Sequence, residues 1–240
     1  FIIGFPGRTN RYSTSFAIDF YLNKVYPMSI SEFQSIITML DEIGKQSKEW
    51  AIKAVGTTKW LNNSMKNYQG NLEGMKRIHL LEKKKELEKQ VQQFVNSDPR
   101  LKKQYGDLLT RFEKKFKKSV QSYERNFFLT RFRYLAGTIP AIANSIYSVA
   151  YERAKPEDER NPMFSEKDVQ RSVKRLKYRY MSYAPEIDKA LLKRMLLKLK
   201  ALPEDQRIKG LDFIFKEYAS VDDFIEQAYA KTKLTDVKYA

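Results

Sequence analysis

The sequence contains no cysteine, and this absence excludes a disulfide framework and any thiolate metal site. It also lacks a run of about 18 apolar residues, so no segment has the length and character of a transmembrane helix. No signal peptide opens at Phe1, because a basic leader and a small-residue cleavage site are missing. If the parent protein is exported, we expect its signal to lie upstream of Phe1.

Positive charge is in clear excess. The 240 residues include 45 Lys+Arg and 29 Asp+Glu, a formal net charge of +16. Nucleic acid, an anionic membrane surface or acidic proteins are therefore candidate partners on electrostatic grounds. The simpler interpretation is a solvated basic surface on helices. With 42% hydrophobic residues, the chain can bury a core as one large or two small domains.

Residues 1–27 differ in pattern from everything that follows. A short apolar run breaks at Pro6-Gly7 and gives way to an Arg-rich turn, as when a strand leaves a sheet. An apolar and aromatic segment at 16–22 continues this region to Pro27. No later segment supplies the rest of a sheet. We therefore predict that residues 1–27 are a strand and linker stub of a truncated β-barrel.

From residue 28 onward the apolar residues recur at helical spacing, which predicts an α-helical domain over 28–240. Asp98 and Pro99 fit the N-cap and first position of a helix that pairs antiparallel with the one before it. This turn also interrupts the heptad pattern of residues 78–134, which favours an intramolecular hairpin over a coiled coil. A break is expected at 56–58. Predicted helices begin near Ser31, Glu49, Pro99, Ala141, Ser165, Ile187, Pro203 and Ser220, and Ser165 and Ser220 are expected to cap theirs.

The fold class predicted from these patterns is mainly α: a helical bundle with long antiparallel helices and a short N-terminal strand. No catalytic residue is predicted in this chain. The single histidine, His79, lies in a helical segment without a nucleophile turn nearby, and a Gly-x-Ser-x-Gly segment is absent. The acidic clusters at 157–159 and 222–223 lack the spacing of a calcium loop. Neither a metal nor a cofactor is expected.

One polar stripe remains as a candidate site. Its residues follow spacings of three, four, three and four, so a continuous helix places them on one face. They are Trp60, Asn63, Asn67, Gly70 and Gly74. The opposite face carries the apolar residues Leu61, Met65, Tyr68 and Leu72. Two mid-helix glycines suggest close approach of another backbone or a ligand, and the alternative is tight helix packing with satisfied amides.

Two segments resemble the bacterial dipeptidyl peptidase 7 and 11 family of serine exopeptidases. The first is Gly4-Phe5-Pro6-Gly7-Arg8-Thr9-Asn10-Arg11-Tyr12, similar to the strand that leads into that family's helical insert. The second runs from Asn63 to Met75 and is similar to the pattern Asn-x-x-Lys-Asn-x-x-Gly-x-x-x-Gly-Leu, with Met75 in place of leucine. The motifs cover the opening strand and roughly residues 56–90.

The resemblance implies a chymotrypsin-type catalytic barrel outside this chain, with the histidine and aspartate upstream of Phe1 and the serine downstream of Ala240. It implies that Asn63 or Asn67 grips the free N-terminal amine of the peptide substrate, on a cleft-facing helix that includes Trp60, Lys66, Gly70 and Gly74. Gly7, Arg8, Asn10 and Arg11 are expected to form the interdomain hinge. A bacterial periplasmic or cell-surface location is implied as well.

The predicted function is therefore a helical domain that caps the active-site cleft of a serine dipeptidyl peptidase and is inactive alone. Expected partners are the substrate N-terminus and the missing catalytic domain of the same chain. The full-length protein could also form a homodimer. The alternative is a basic helical protein for nucleic acid or an anionic surface, built on Lys114, Lys115, Lys117, Lys118, Arg131 and Arg133 with interleaved aromatic residues. Those aromatic residues keep core spacing, so a nucleic-acid partner is not expected.

Overall fold

The computed structural model describes residues 12–236 and 239. Within these residues the chain forms α-helices, and no strand is present. Most connections are short turns, and the longer ones at 154–165 and 201–211 contain 3-10 turns. In chain order the α-helices are α1 Ser15–Phe20, α2 Tyr26–Gln46, α3 Lys48–Arg77, α4 Leu80–Ser97, α5 Pro99–Tyr105, α6 Leu108–Val120, α7 Tyr123–Leu135, α8 Thr138–Arg153, α9 Glu166–Met181, α10 Pro185–Lys200, α11 Asp212–Glu217 and α12 Val221–Lys231. The mainly α prediction is confirmed.

The predicted strand and linker stub is wrong over residues 15–27. Here α1 passes through a π-helical turn at Tyr21–Val25 directly into α2. Ile18, Leu22 and Tyr26 are buried at four-residue intervals, which is a helical period. The π turn precedes Pro27, whose ring and missing N–H disrupt an ordinary helical turn. The predicted strand before Pro6 lies outside the described residues, and the assignment of 1–27 to a separate domain stays a prediction.

The chain divides into two compact units. The first contains the residues up to Ser35 together with Trp60–Gln121, and the second contains Ile36–Lys59 together with the residues from Ser122 onward. The helices α2 and α3 each contribute to both units.

The core of the first unit is largely aromatic. Phe33 and Leu61 are almost completely buried, and Phe16 and Phe20 pack against Phe116 with ring centroids 5.2 and 5.7 Å apart. At the start of α1, the backbone N–H and the hydroxyl of Ser15 donate to the carboxylate of Glu88, at 2.6 and 2.5 Å. A carboxylate at this position satisfies a free amide of the first helical turn. It also joins α1 to α4.

The helix boundaries confirm some predictions and correct others. Asp98 caps α5 by accepting from the N–H groups of Arg100 and Leu101, and Pro99 is the first helical residue, as predicted. The break expected at 56–58 is wrong, because α3 continues to Arg77 and ends where His79 adopts φ 50°. The single helix predicted from Pro99 is divided into α5, α6 and α7. A Cβ on Gly106 would lie 2.5 Å from the carbonyl oxygen of Lys102, so this turn requires glycine.

The second unit is organised around α10. Its apolar residues Ile187, Leu191, Leu192, Met195, Leu196 and Leu199 are all buried. Asp188 is buried among them and accepts hydrogen bonds from the N–H groups of Thr138 and Ile139, so it caps the N-terminus of α8. Further on, Ser165 and Ser220 cap α9 and α12 as the sequence predicts.

No helix formed by residues 12–236 combines the length and apolarity needed to cross a membrane.

Candidate functional site

The predicted polar stripe lies on the exposed side of α3. This helix is continuous from Lys48 to Arg77, so Asn63 and Asn67 share one face. Both asparagines are exposed, whereas Leu61 is fully buried and Met65 is 8% exposed on the other side. Lys66 is also exposed, one turn beyond Asn63. The structure therefore brings the predicted residues together on one surface of the first unit.

Gly70 and Gly74 are not explained by helix packing within the described part of the chain. Beyond the adjacent backbone of α3 itself, a Cβ placed on either glycine would find no atom of those residues within 4 Å. Glycine inside a helix costs about 1 kcal/mol relative to alanine, and no close neighbour here compensates for that cost. Of the two interpretations of the stripe, tight packing against another described helix is the one the geometry does not support.

The two asparagines differ in their hydrogen bonds. The side-chain N–H of Asn71 donates to the backbone carbonyl of Asn67 at 2.8 Å and to its side-chain oxygen at 3.1 Å. The amide of Asn63 has no hydrogen-bond partner among residues 12–236. An asparagine side chain offers two acceptor lone pairs and two N–H donors. All hydrogen-bonding groups of the Asn63 side chain are therefore available to a ligand. The side-chain oxygen of Asn67 already accepts one hydrogen bond.

Aromatic rings support this face from below. Trp60 lies against Phe33 at a centroid distance of 5.8 Å, and Phe33 contacts Tyr68 at the same distance. Tyr68 in turn lies 5.7 Å from Tyr26. Burial raises the pKa of Tyr26, with smaller contributions from the neighbouring Tyr21 and Tyr68. Trp60 keeps 47% of its surface exposed, so it forms an apolar border beside Asn63.

The supporting role of Tyr26 and Phe33 is not predicted by the sequence pattern described above. The two residues are seven apart, a spacing that returns to the same side of a helix after two turns. Because Tyr26 falls within the predicted strand and linker stub, its helical spacing with Phe33 does not stand out in the sequence.

Other predicted residues do not join this surface. Gly7, Arg8, Asn10 and Arg11, the predicted interdomain hinge, lie outside the described residues. His79 is exposed at the junction of α3 and α4, where its backbone N–H donates to the backbone carbonyl of Lys76. No cluster of histidine, aspartate and glutamate side chains suited to a metal ion occurs in the described part of the chain.

The aromatic residues of the alternative basic site are mostly used in packing. Phe127 and Phe128 are each 3% exposed, and Phe116 contacts Phe16 and Phe20. Arg131 lies over the ring of Phe127, 3.7 Å from its centroid. Stacking on nucleobases requires open aromatic faces. These three rings are therefore poor candidates for a nucleic-acid platform, although Phe112 and Tyr134 are exposed.

Comparison with known proteins supports the resemblance seen in the motifs. A family model described as peptidase S46 matches residues 1–240. An Asp/Glu-specific dipeptidyl-peptidase of Shewanella putrefaciens is 27% identical over 239 residues, which are 98% of this chain and 32% of that protein. A protein of the same description from Flavobacterium psychrophilum is 30% identical over 115 residues, 47% of this chain and 16% of that protein.

A third similar protein is a dipeptidyl-peptidase 7 of Capnocytophaga gingivalis, 27% identical over 133 residues, which are 55% of this chain and 18% of that protein. The chain thus spans 32% or less of each of these relatives. The predicted membership is confirmed: because the family model covers the chain from end to end, this protein belongs to the peptidase S46 family.

Proposed function

We propose that this chain is the helical part of a longer serine dipeptidyl peptidase and that the exposed face of α3 borders its peptide-binding cleft. The observation that carries the proposal is the exposed surface of Asn63, Asn67 and Gly70, continued by the half-buried Gly74, with no described neighbouring helix close to either glycine. Membership of the S46 family and the names of the relatives support a dipeptidyl peptidase as the parent enzyme.

In this role Asn63 binds the N-terminal ammonium group of the peptide. Its side-chain carbonyl is a neutral acceptor with no competing donor among the described residues, so it can accept an N–H of the ammonium group. Asn67 has its side-chain oxygen engaged by Asn71 and is the weaker candidate. The missing side chains of Gly70 and Gly74 leave room for a peptide or for the catalytic half to approach the helix.

The positive charge of Lys66 beside Asn63 affects the binding of a peptide N-terminus. Lys66 lies one turn from Asn63, and its ammonium group repels a second cation. A carboxylate of the catalytic half is proposed to offset that repulsion when a peptide N-terminus binds at Asn63. The proposed role is thus shared between the helical domain and the catalytic half of the enzyme.

The hydrolysis itself is assigned to residues outside this chain. The catalytic histidine, aspartate and serine expected from the resemblance are not recognised in it, and His79 is isolated and exposed. The parent enzyme would release dipeptides from a free N-terminus, with the helical domain blocking longer N-terminal extensions. The chain alone should then show no peptidase activity. We also propose a periplasmic or cell-surface location for the parent enzyme.

The test is steady-state kinetics of the longer enzyme that contains this chain. Asn63→Ala should raise KM for a dipeptidyl substrate with a free N-terminus by about tenfold, the effect of losing one hydrogen bond to a charged group. A substrate with an acetylated N-terminus should be cleaved slowly by both enzymes, with little difference between them. Asn96, an exposed asparagine of α4, provides the matched control Asn96→Ala.

The proposal for Asn63 fails if Asn63→Ala and Asn96→Ala have the same kinetics. A large effect of Asn67→Ala with none of Asn63→Ala would move the role to Asn67. If the longer protein releases no dipeptides at all, the proposed parent activity is wrong.

A further inference from the structure

A cavity in the second unit carries an unusual set of side chains. It has a volume of about 400 Å³ and is lined by residues from the C-terminal ends of α7 and α9, the first turns of α8 and α10, and one side of α3. Three cationic side chains border it: Lys53, Arg133 and Arg179. They come from three different helices, so helical periodicity alone does not explain why they meet.

The cationic charge at the cavity is only partly compensated. Lys53 pairs with Glu49 at 2.7 Å. Asp188 also borders the cavity, and its carboxylate is engaged by the N–H groups of Thr138 and Ile139 and by the hydroxyl of Tyr229. Three cations against these two carboxylates leave an excess of at least one positive charge. This excess matches a ligand with a single negative charge.

Several donors around the cavity are free to bind such a ligand. The guanidinium group of Arg179 and the hydroxyls of Thr57 and Ser182 have no hydrogen-bond partner in the described part of the chain. Arg133 donates to the hydroxyl of Tyr134 and lies over its ring, 4.9 Å from the centroid, so its guanidinium group is held in place. The planar guanidinium group of arginine matches the geometry of a carboxylate and can donate two parallel hydrogen bonds to it.

The rest of the lining is apolar or aromatic. Ala141, Ile187 and Leu191 contribute apolar surface, and Tyr134 and Tyr178 are 57% and 70% exposed. Exposed tyrosine rings can pack on the body of a ligand while the arginines hold its charged end. The cavity therefore has the composition of a site for an organic anion, with apolar surface and a small number of charged groups.

We propose that this cavity binds the carboxylate of a small organic monoanion with an apolar body, such as an amino-acid or peptide carboxylate, with Arg179 as the principal ligand-binding residue. Carboxylate binding here does not depend on the role proposed for Asn63. The carboxylate of a peptide C-terminus and that of an acidic side chain share the same chemistry, and both fit the charge excess.

The test is isothermal titration of the 240-residue chain at low ionic strength. N-acetyl-tyrosine carries one carboxylate and an aromatic body, and N-acetyl-tyrosinamide is the same probe without the charge. The acid should bind, and Arg179→Gln should weaken its binding by about tenfold, as expected for loss of a charge-assisted hydrogen bond. Lys209→Gln removes the same charge from an exposed position of the second unit that does not line the cavity, and should change the affinity less than twofold.

Titration with acetylated aspartate amide, which carries only a side-chain carboxylate, then distinguishes the two carboxylate sources. The proposal is overturned if the amide probe binds as tightly as the acid or if no probe binds. It is also overturned if Lys209→Gln weakens binding as much as Arg179→Gln, since the effect is then one of overall charge. Tighter binding of inorganic phosphate than of the acid would contradict the assignment to carboxylates.

Discussion

The carboxylate of Asp188 accepts a hydrogen bond from the hydroxyl of Tyr229 over 2.6 Å, which joins α10 to α12 inside the second unit. The same carboxylate accepts from the N–H groups of Thr138 and Ile139 at the start of α8. One side chain therefore connects three helices. Asp188 is only 3% exposed, so in the folded protein these bonds are largely shielded from water.

Asp188→Ala should lower the free energy of unfolding by about 3 kcal/mol or more, because it leaves two buried N–H groups and one hydroxyl without an acceptor. Tyr229→Phe removes one of these donors and should cost about 1 kcal/mol. Denaturant unfolding followed by circular dichroism measures both. Equal losses for the two variants would show that Asp188 is not the connecting group.

The stability of the second unit should depend on pH through Asp188. Burial raises the pKa of this carboxyl, and its hydrogen bonds lower the pKa by less. The folded state then holds the proton more tightly than the unfolded state. The contribution of Asp188 to stability is thus present below its unfolded pKa of about 3.9 and is lost as the pH rises through the folded pKa.

Asp188→Asn removes this titration. The free energy of unfolding of the original protein should therefore fall relative to that of Asp188→Asn as the pH rises from about 4 toward neutrality. Urea titrations at several pH values provide the comparison. A difference that stays constant, or that grows in favour of the original protein, would contradict the raised pKa.

Replacing His79 by glycine should stabilise the first unit. His79 has φ 50° and ψ 47° between α3 and α4, in the left-handed region that costs a residue with a Cβ roughly 1 to 2 kcal/mol. Part of that gain is offset by the greater freedom of glycine in the unfolded chain, so a net gain of about 0.5 to 1 kcal/mol is expected. His79→Ala keeps the Cβ and should give no such gain in thermal unfolding.

Gly70→Ala and Gly74→Ala should each stabilise the isolated chain by about 1 kcal/mol, because both positions lie inside α3 and a Cβ meets no described atom within 4 Å beyond the adjacent backbone of the helix. Gly44→Ala is the matched control. Its Cβ would lie 3.3 Å from Ala51, so crowding should cancel the gain in helix propensity. Thermal unfolding of the three variants measures the difference.

In the proposed longer enzyme the same two substitutions should lower activity although they stabilise the isolated chain. If a peptide or the catalytic half lies close to α3, the added methyl groups occupy that space and kcat/KM should fall. Stabilisation of the isolated chain without any loss of activity in the longer enzyme would show that this face of α3 stays in solvent.

The helical character of the chain was predictable because apolar residues repeat with a helical period from Phe33 onward. The caps at Asp98, Ser165 and Ser220 were predictable for a local reason: each side chain bonds to an N–H only two or three residues away. The segment at 16–22 was misassigned because its aromatic and β-branched residues favour strands. Its burial at every fourth residue depends on packing partners that are distant in sequence.

For the candidate site, helical spacing was enough to place Asn63, Asn67, Gly70 and Gly74 on one face of α3. Spacing did not show that the glycines are uncovered or that Asn71 occupies the side-chain oxygen of Asn67. The first depends on which helices pack nearby, and the second on the side-chain conformations that the packed helix adopts.

The sequence by itself determined the helical character from Phe33 onward, several local caps, the polar face of α3 and the S46 family, because these depend on residue types at short separations. Only the tertiary structure decided that α1 continues into α2, that Gly70 and Gly74 lie open, and that Asp188 connects three helices. The cavity bordered by Lys53, Arg133 and Arg179 belongs to the same group, since residues as distant in sequence as Lys53 and Leu191 line it. Contacts over such separations are set by how helices pack, which no local pattern encodes.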